Sequence, residues 1–242
     1  MALHFIVPDC TNAEIGELVS LTGTEAKHAS VVRRVRVGET ITLGDGKGTW
    51  LEGAVADVSP SVVTVRVGSR STADVPATRL LLAQALAKGD RDELAVQAAC
   101  ELGVDEVIPW QAARSVSRWE GPKAAKGRER WASIVREAAK QAHRAWVPEV
   151  AAVETTAQLV RRAPDARILV LDPWTPTRLS AVEPDGRDIV LVVGPEGGIA
   201  PEELERMDAA GAERVKLGDT VLRTSTAGPA AIAVLSGILG RW

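Results

Sequence analysis

Two periodicities divide this chain. Over residues 5–67 the apolar positions fall in short β-branched runs, such as Thr40-Ile41-Thr42-Leu43 and Val62-Val63-Thr64-Val65-Arg66-Val67, broken by Asp-Gly and Ser-Pro turn signals. The pattern predicts a small β-barrel with one short helix over residues 24–33. Gly44-Asp45-Gly46-Lys47-Gly48-Thr49 follows a short strand there. It lacks the four-residue span that precedes Gly-Lys-Ser/Thr in a phosphate-binding loop, so it predicts a hairpin turn. The polar stretch 68–76 ends in Pro76 and is the expected linker.

From Arg79 onward, strand-like and helix-like segments alternate, which predicts a parallel sheet with helices on its faces. Residues 80–86 and 104–110 read as buried strands. Between them, Asp90 with Glu93 three residues later predicts a capping-box helix start, with Leu94, Ala98 and Leu102 on one face and Gly103 ending it. Trp131, Val135, Ala138 and Ala142 recur at helical spacing. Strands over 167–171 and 188–193 follow, then a helix entered through Pro201 with Glu202 and Glu203 in its first turn. An apolar helix over 226–239, suited to burial against another subunit, closes the chain.

Chemistry concentrates where strands end in glycine. Ile189-Val190-Leu191-Val192-Val193 runs into Gly194-Pro195-Glu196-Gly197-Gly198, and Val215-Lys216-Leu217 runs into Gly218-Asp219-Thr220-Val221-Leu222-Arg223. Two such turns predict backbone loops converging on one ligand, because glycine permits positive φ and close approach of the main chain. The spacing does not fit the Gly-x-Gly-x-x-Gly of a dinucleotide site, which disfavours a nicotinamide-dependent oxidoreductase.

Composition narrows the function classes. The 242 residues are 45% hydrophobic, enough for real cores, and the net charge is −3. Bulk attraction to nucleic acid is therefore excluded, but basic residues are localised. Between Arg114 and Arg144 nine basic residues face three acidic ones, and Lys27, Arg33, Arg34 and Arg36 form a second knot. With Trp119 and Trp146 read as exposed neighbours, these make a phosphate-tracking surface. Cys10 and Cys100 lack disulfide or zinc spacing, and His4, His28 and His143 lack metal-ligand spacing, so no metal is expected. Pro8 and Asp9 interrupt the first apolar run, and no segment approaches the roughly 20 apolar residues of a membrane span, so a cytoplasmic location is expected.

Four motifs in order resemble the SPOUT methyltransferases, and within them the RsmE-type family that methylates N3 of a uridine in small-subunit ribosomal RNA. They are His28 through Gly38; Lys88-Gly89-Asp90-Arg91 with Gln97 and Glu101-Leu102-Gly103-Val104; Glu137 through Ala142 with Arg144 and Pro148; and the paired glycine loops. The resemblance implies an α/β protein with a PUA-like RNA-binding β-barrel over 1–72 and a SPOUT domain, a trefoil-knotted parallel sheet, over 77–242. It further implies S-adenosylmethionine as cofactor, a homodimer that completes the active site, and 16S ribosomal RNA in a folded small subunit as partner. Cofactor contacts fall on Leu171, Gly194, Glu196, Gly197, Leu217, Gly218 and Leu222, and RNA contacts on His28, Arg33, Arg34, Arg36, Arg114, Arg118 and Arg144.

Methylating an imide nitrogen requires that its proton leave and that charge on the uracil oxygens be stabilised. Arg223 on the cofactor loop suits the second task, and Glu196 either orders the site, holds an RNA group or caps the following helix. The family motif Leu-Arg-Thr-Glu-Thr-Ala reads here Leu222-Arg223-Thr224-Ser225-Thr226-Ala227. Serine substitutes for glutamate as a helix cap, so Ser225 is expected to cap the last helix. A non-catalytic RNA-binding or ribosome-assembly protein on the same fold is the alternative that this departure keeps open.

Overall fold

The computed structural model describes residues 3–242. The chain forms two compact units, the first comprising residues 1–75 and 139–147, the second 76–138 and 148–242. Residues 139–147 carry Arg144 and His143 into the first unit, although their helical periodicity is continuous with the segment before them.

In the first unit, β1 (His4–Ile6), β2 (Leu18–Thr22), β3 (Thr40–Gly44), β4 (Thr49–Val58) and β5 (Val62–Thr72) form a sheet of order β1-β3-β4-β5-β2. All pairs are antiparallel except β1 with β3. Bulges at Glu52/Gly53 and Val55/Asp57 bend the long β4–β5 ribbon into a barrel-like curl. A Cβ at Gly53 would lie 2.3 Å from the Arg66 carbonyl oxygen, so only glycine fits the first bulge. Alternate strand residues, Leu51, Val55, Val63 and Val65 among them, turn inward onto Phe5, Leu21, Ile41 and Leu43. The expected helix is a short α1 (Gly23–Lys27) continued by a π-turn, His28–Val32. Residues 68–72, read as linker, instead extend β5 and pair with residues 49–52, because polar residues are tolerated on the solvent face of a ribbon.

The second unit holds an all-parallel sheet of six strands: β6 (Leu80–Ala85), β7 (Glu106–Trp110), β8 (Glu149–Val150), β9 (Ala166–Leu171), β10 (Asp188–Val193) and β11 (Glu213–Val215). Their order is β11-β9-β10-β6-β7-β8. Helices α2 (Arg91–Glu101), α3 (Pro122–Gln141), α4 (Thr156–Leu159), α5 (Pro201–Ala209) and α6 (Thr224–Ile238) complete the elements, α3 ending in residues of the first unit. Strand residues are apolar on both faces, as burial between helices requires. One face, with Ala83, Ile168, Val190 and Val192, packs on Leu159 of α4 and Met207 of α5. The other receives α6, whose Gly228 lies against Leu82 and Val193.

Two expectations for α2 and β11 need correction. Asp90 makes no side-chain capping bond; Asp92, in the first turn, instead accepts from the Ala87 N–H at 3.1 Å, and Glu93 pairs with Arg130. The buried face of α2 is Asp92, Ala95, Val96, Ala99 and Cys100, leaving Leu94 half exposed, since α6 and β6 cover that side. Strand β11 ends at Val215, and Lys216 continues only as a bridge to Arg178. From this sheet edge the chain returns to the centre, where α6 packs on β6, β10 and the turn Leu179–Ala181 within the β9–β10 connection.

Candidate active site

Three loops leave the C-terminal ends of the neighbouring strands β11, β9 and β10 and enclose one cleft of about 640 Å³. Open parallel sheets bind ligands at this end. Leu171, Val193, Ile199, Leu204 and Val215 supply an apolar floor. Over 217–222, all of which but Asp219 line the cleft, no main-chain N–H donates to another main-chain group among the described residues. Free donors beside apolar surface suit a flat ligand with polar edges.

The glycines act by different means. A Cβ at Gly194 would lie 2.7 Å from Ile199 Cγ1, so close packing excludes a side chain, while left-handed backbone falls on Gly198 (φ +71°) rather than on Gly194 or Gly197. The turn closes with the Gly198 N–H on the Pro195 carbonyl at 2.9 Å. At Gly197 a Cβ would stand 3.4 Å from Arg114 Cβ, and at Gly218 it would meet nothing within 4 Å.

Buried polar groups fasten the loops. Gln84, fully buried on β6, donates to Thr224 Oγ1 at 2.8 Å, and that hydroxyl donates to the Gly194 carbonyl at 2.9 Å, tying the start of α6 to the end of β10. Glu203 of α5 accepts from the Ala113 N–H at 2.9 Å and from Thr156 Oγ1 at 2.6 Å. It holds the loop from which Arg114 donates to the Gly197 carbonyl at 3.1 Å.

Glu196 and Arg223 both line the cleft. Glu196 pairs with Arg91 at 2.9 Å. Burial pushes its pKa up, but its own N–H, the Arg91 guanidinium and the Lys88 N–H outweigh burial and hold it below the ordinary glutamate value. It does not cap α5, which starts at Pro201 after Ala200. Arg223 is the N-cap residue of α6 and exposes its guanidinium, which has no hydrogen-bond or ion-pair partner among the described residues. Ser225 is not the cap expected of it: the helix begins at Thr224, and no side chain makes a capping bond.

Leu171, Gly194, Glu196, Gly197, Leu217, Gly218 and Leu222 therefore share one cleft. The basic set divides. His28, Arg33, Arg34, Arg36 and Arg144 belong to the first unit, and Arg114 and Arg118 to the second. Arg114 reaches the cleft rim, while Arg118 braces its loop through the Ala113 carbonyl at 2.9 Å. Trp119 and Trp146, read as exposed, are packed: Trp119 stands edge-on to Trp131 over Gly127, and Trp146 lies on Gly48 and donates to the Ala73 carbonyl at 2.9 Å. An exposed tryptophan, Trp174, instead stands at the cleft mouth, 85% accessible. The roles of Gln84, Arg91 and Glu203 at the site were missed, although Arg91 lies in a family motif and a glutamine inside the run Leu80–Ala85 was a legible signal, since a buried amide needs a partner.

No group of three or more His, Cys, Asp or Glu among the described residues is arranged to hold a metal ion, and no helix there is long and apolar enough to cross a membrane.

Comparison with known proteins agrees with this geometry. The RNA methyltransferase domain family matches residues 74–236, and the RNA methyltransferase PUA domain family matches 21–68. Ribosomal RNA small subunit methyltransferase E of Mycobacterium bovis is 40% identical, covering 96% of this chain and 91% of its own. The Bacillus subtilis protein of that name is 32% identical, covering 98% and 96%. The crystal structure of the Neisseria gonorrhoeae protein of that name bound to S-adenosyl methionine matches with a TM-score of 0.89 at 30% identity over 98% of both chains. The cleft, the strand order and these relatives place the chain in the ribosomal RNA small subunit methyltransferase E family, with a PUA-like unit and the SPOUT fold.

Proposed function

We propose that this chain transfers a methyl group from S-adenosylmethionine to N3 of a uridine in 16S ribosomal RNA, acting in the cytoplasm as a homodimer on a folded small subunit. The observation that carries the reading is the cleft at the ends of β9, β10 and β11, walled by unpaired main-chain donors and bordered by the free guanidinium of Arg223. The loop over 217–222 would offer the cofactor polar main-chain partners, Leu171 and Leu222 would give it apolar contact, and Gly194 and Gly197 would hold the β10 turn beside it, close against Ile199 and Arg114. Bound there, S-adenosylmethionine supplies a sulfonium-activated methyl group.

The chain's own residues then have separable tasks. Arg223 presents a fixed planar donor to the uracil oxygens as N3 loses its proton, and its backbone is held because Thr224 is tied to Gly194 and Gln84. Glu196, kept ionised by Arg91, orders the rim and accepts hydrogen bonds from RNA. Arg114 and Arg118 meet the RNA near the cleft, while His28, Arg33, Arg34, Arg36 and Arg144 bind it through the first unit.

The experiment is methyl transfer from labelled S-adenosylmethionine to small subunits from cells lacking the protein, with mass mapping of the modified nucleoside. A single 3-methyluridine in 16S RNA is expected. Tight cofactor binding with no transfer would instead support a non-catalytic ribosome-assembly role.

A further inference from the structure

Among the described residues that line the cleft, Trp174 is the one aromatic side chain, and it stands in solvent. The loop that carries it is fastened at both ends. Before the indole, the Asp172 N–H donates to the Val215 carbonyl at 2.9 Å, and the Asp172 carboxylate accepts from the Trp174 N–H at 3.0 Å and pairs with Arg214 at 3.5 Å. After it, the Lys216 N–H donates to the Thr177 carbonyl at 2.9 Å and the Leu179 N–H to the Lys216 carbonyl at 2.8 Å. Pro173 restricts φ at the step between them. The indole is therefore presented from a braced backbone beside β11. Val221 and Leu222 of the β11–α6 loop line the same cleft and are also exposed, so two loops bring apolar side chains to it.

The cofactor does not account for this indole. The cleft floor is aliphatic, formed by Leu171, Val193, Ile199, Leu204 and Val215, whereas Trp174 remains in water at the mouth. The second substrate does have a matching shape. N3 lies on the edge through which uracil pairs, so the target uridine must be unpaired, and bringing that edge to a methyl donor inside a cleft takes the ring out of the stack with its neighbours. An aromatic side chain replaces a lost stacking face, because every base offers a π-face to it. Arg223 addresses the oxygens on the edge of the ring, which leaves its face without a partner.

We propose that Trp174 is the stacking platform for the extruded target uracil, holding the face of the base while Arg223 meets its oxygens. The assignment rests on the RNA-methylating function above and adds a residue that lies outside all four family motifs.

The test is single-turnover methyl transfer by the full chain to small subunits from cells lacking the protein, with subunit and cofactor both saturating. Docking of the subunit and extrusion of the base are separate steps. Loss of the platform should therefore lower the rate at saturation and leave subunit affinity and its salt dependence close to those of the parent, since no charge is removed. Trp174→Ala is expected to lose about tenfold or more, and Trp174→Phe, which keeps an aromatic face, only about threefold. Trp174→Leu keeps apolar bulk without that face and should fall with Trp174→Ala. The side chain is exposed, so all of these variants should fold, bind S-adenosylmethionine by calorimetry and sediment like the parent. Trp174→Ala as fast as the parent, or Trp174→Leu as fast as Trp174→Phe, would overturn the stack. Lost cofactor affinity would assign the indole to the cofactor, a smaller sedimenting species to a second copy of the chain, and lost subunit affinity with an intact saturated rate to the body of the RNA. Each of these also overturns the proposal. A parent chain that transfers no methyl group to the subunits refutes the proposed function, and the platform with it, before any variant is compared.

Discussion

Arg223 and Ser225 sit two residues apart, yet their surroundings assign them different weights. Arg223 extends a free guanidinium at the cleft, whereas Ser225 lies within the first turn of α6 and caps nothing. Arg223→Lys and Arg223→Ala are expected to keep S-adenosylmethionine affinity within several-fold by calorimetry, and to lose about a hundredfold or more in single-turnover rate. Ser225→Ala should cost far less; equal losses would mean the roles are misassigned. A second residue titrates measurably. Burial, then the nearby charges of His143 and Lys140, lower the His4 pKa to about 4. The unfolded chain, with His4 near its usual value, binds the extra proton between about pH 6.5 and 4, so stability should fall as pH falls through that window. The loss reaches about 3 kcal/mol at its lower end. Urea unfolding of the parent chain and His4→Phe at both pH values checks this, since the variant should lack that share of the slope.

Among the elements, α6 controls the cleft because it packs on β6 and β10 at Gly228. A Cβ there would meet Leu82 Cδ1 at 3.1 Å and Val193 Cγ2 at 3.5 Å. Gly228→Ala is expected to be nearly neutral, the helix-propensity gain of about 1 kcal/mol offsetting a tight contact with a leucine that can shift. Gly228→Leu should lose about 1–3 kcal/mol by overpacking and, by lifting the helix, weaken the cofactor site. Thermal unfolding with and without S-adenosylmethionine separates the two effects. Gly194→Val, which drives a side chain into Ile199, should weaken cofactor binding in a folded protein. Unchanged affinity would remove Gly194 from the pocket.

For the whole molecule, an acidic total with localised arginines leads to the expectation that RNA is recognised through a shaped surface and not through bulk attraction. Neutralising Arg33, Arg34 and Arg36 together is expected to weaken small-subunit binding and flatten its salt dependence, leaving cofactor affinity intact. A folded small subunit should be methylated well ahead of a short oligonucleotide carrying the same uridine; equal rates would contradict surface recognition. Sedimentation of Arg223→Ala belongs at this scale too. A slow enzyme that sediments like the parent chain assigns Arg223 to the chemistry, and one that falls to a smaller species than the parent assigns it to the proposed subunit interface.

Local pattern by itself determined the division into a β-rich part and an alternating α/β part, most strand positions, and the two glycine loops. These follow from periodicity and turn chemistry, which act between near neighbours. Family motifs then pointed to the cofactor and to RNA. Tertiary structure alone decided the pairings across long gaps: Arg91 with Glu196, Glu203 with the loop of Arg114, Gln84 with Thr224, and three histidines in one pocket. Helical spacing likewise misjudged the buried face of α2, because the partner α6 lies over a hundred residues later. The physical reason is common to all of these: a side chain's periodic position says that one face is buried, whereas its partner, its protonation and its accessibility are set by whatever the folded chain packs against that face.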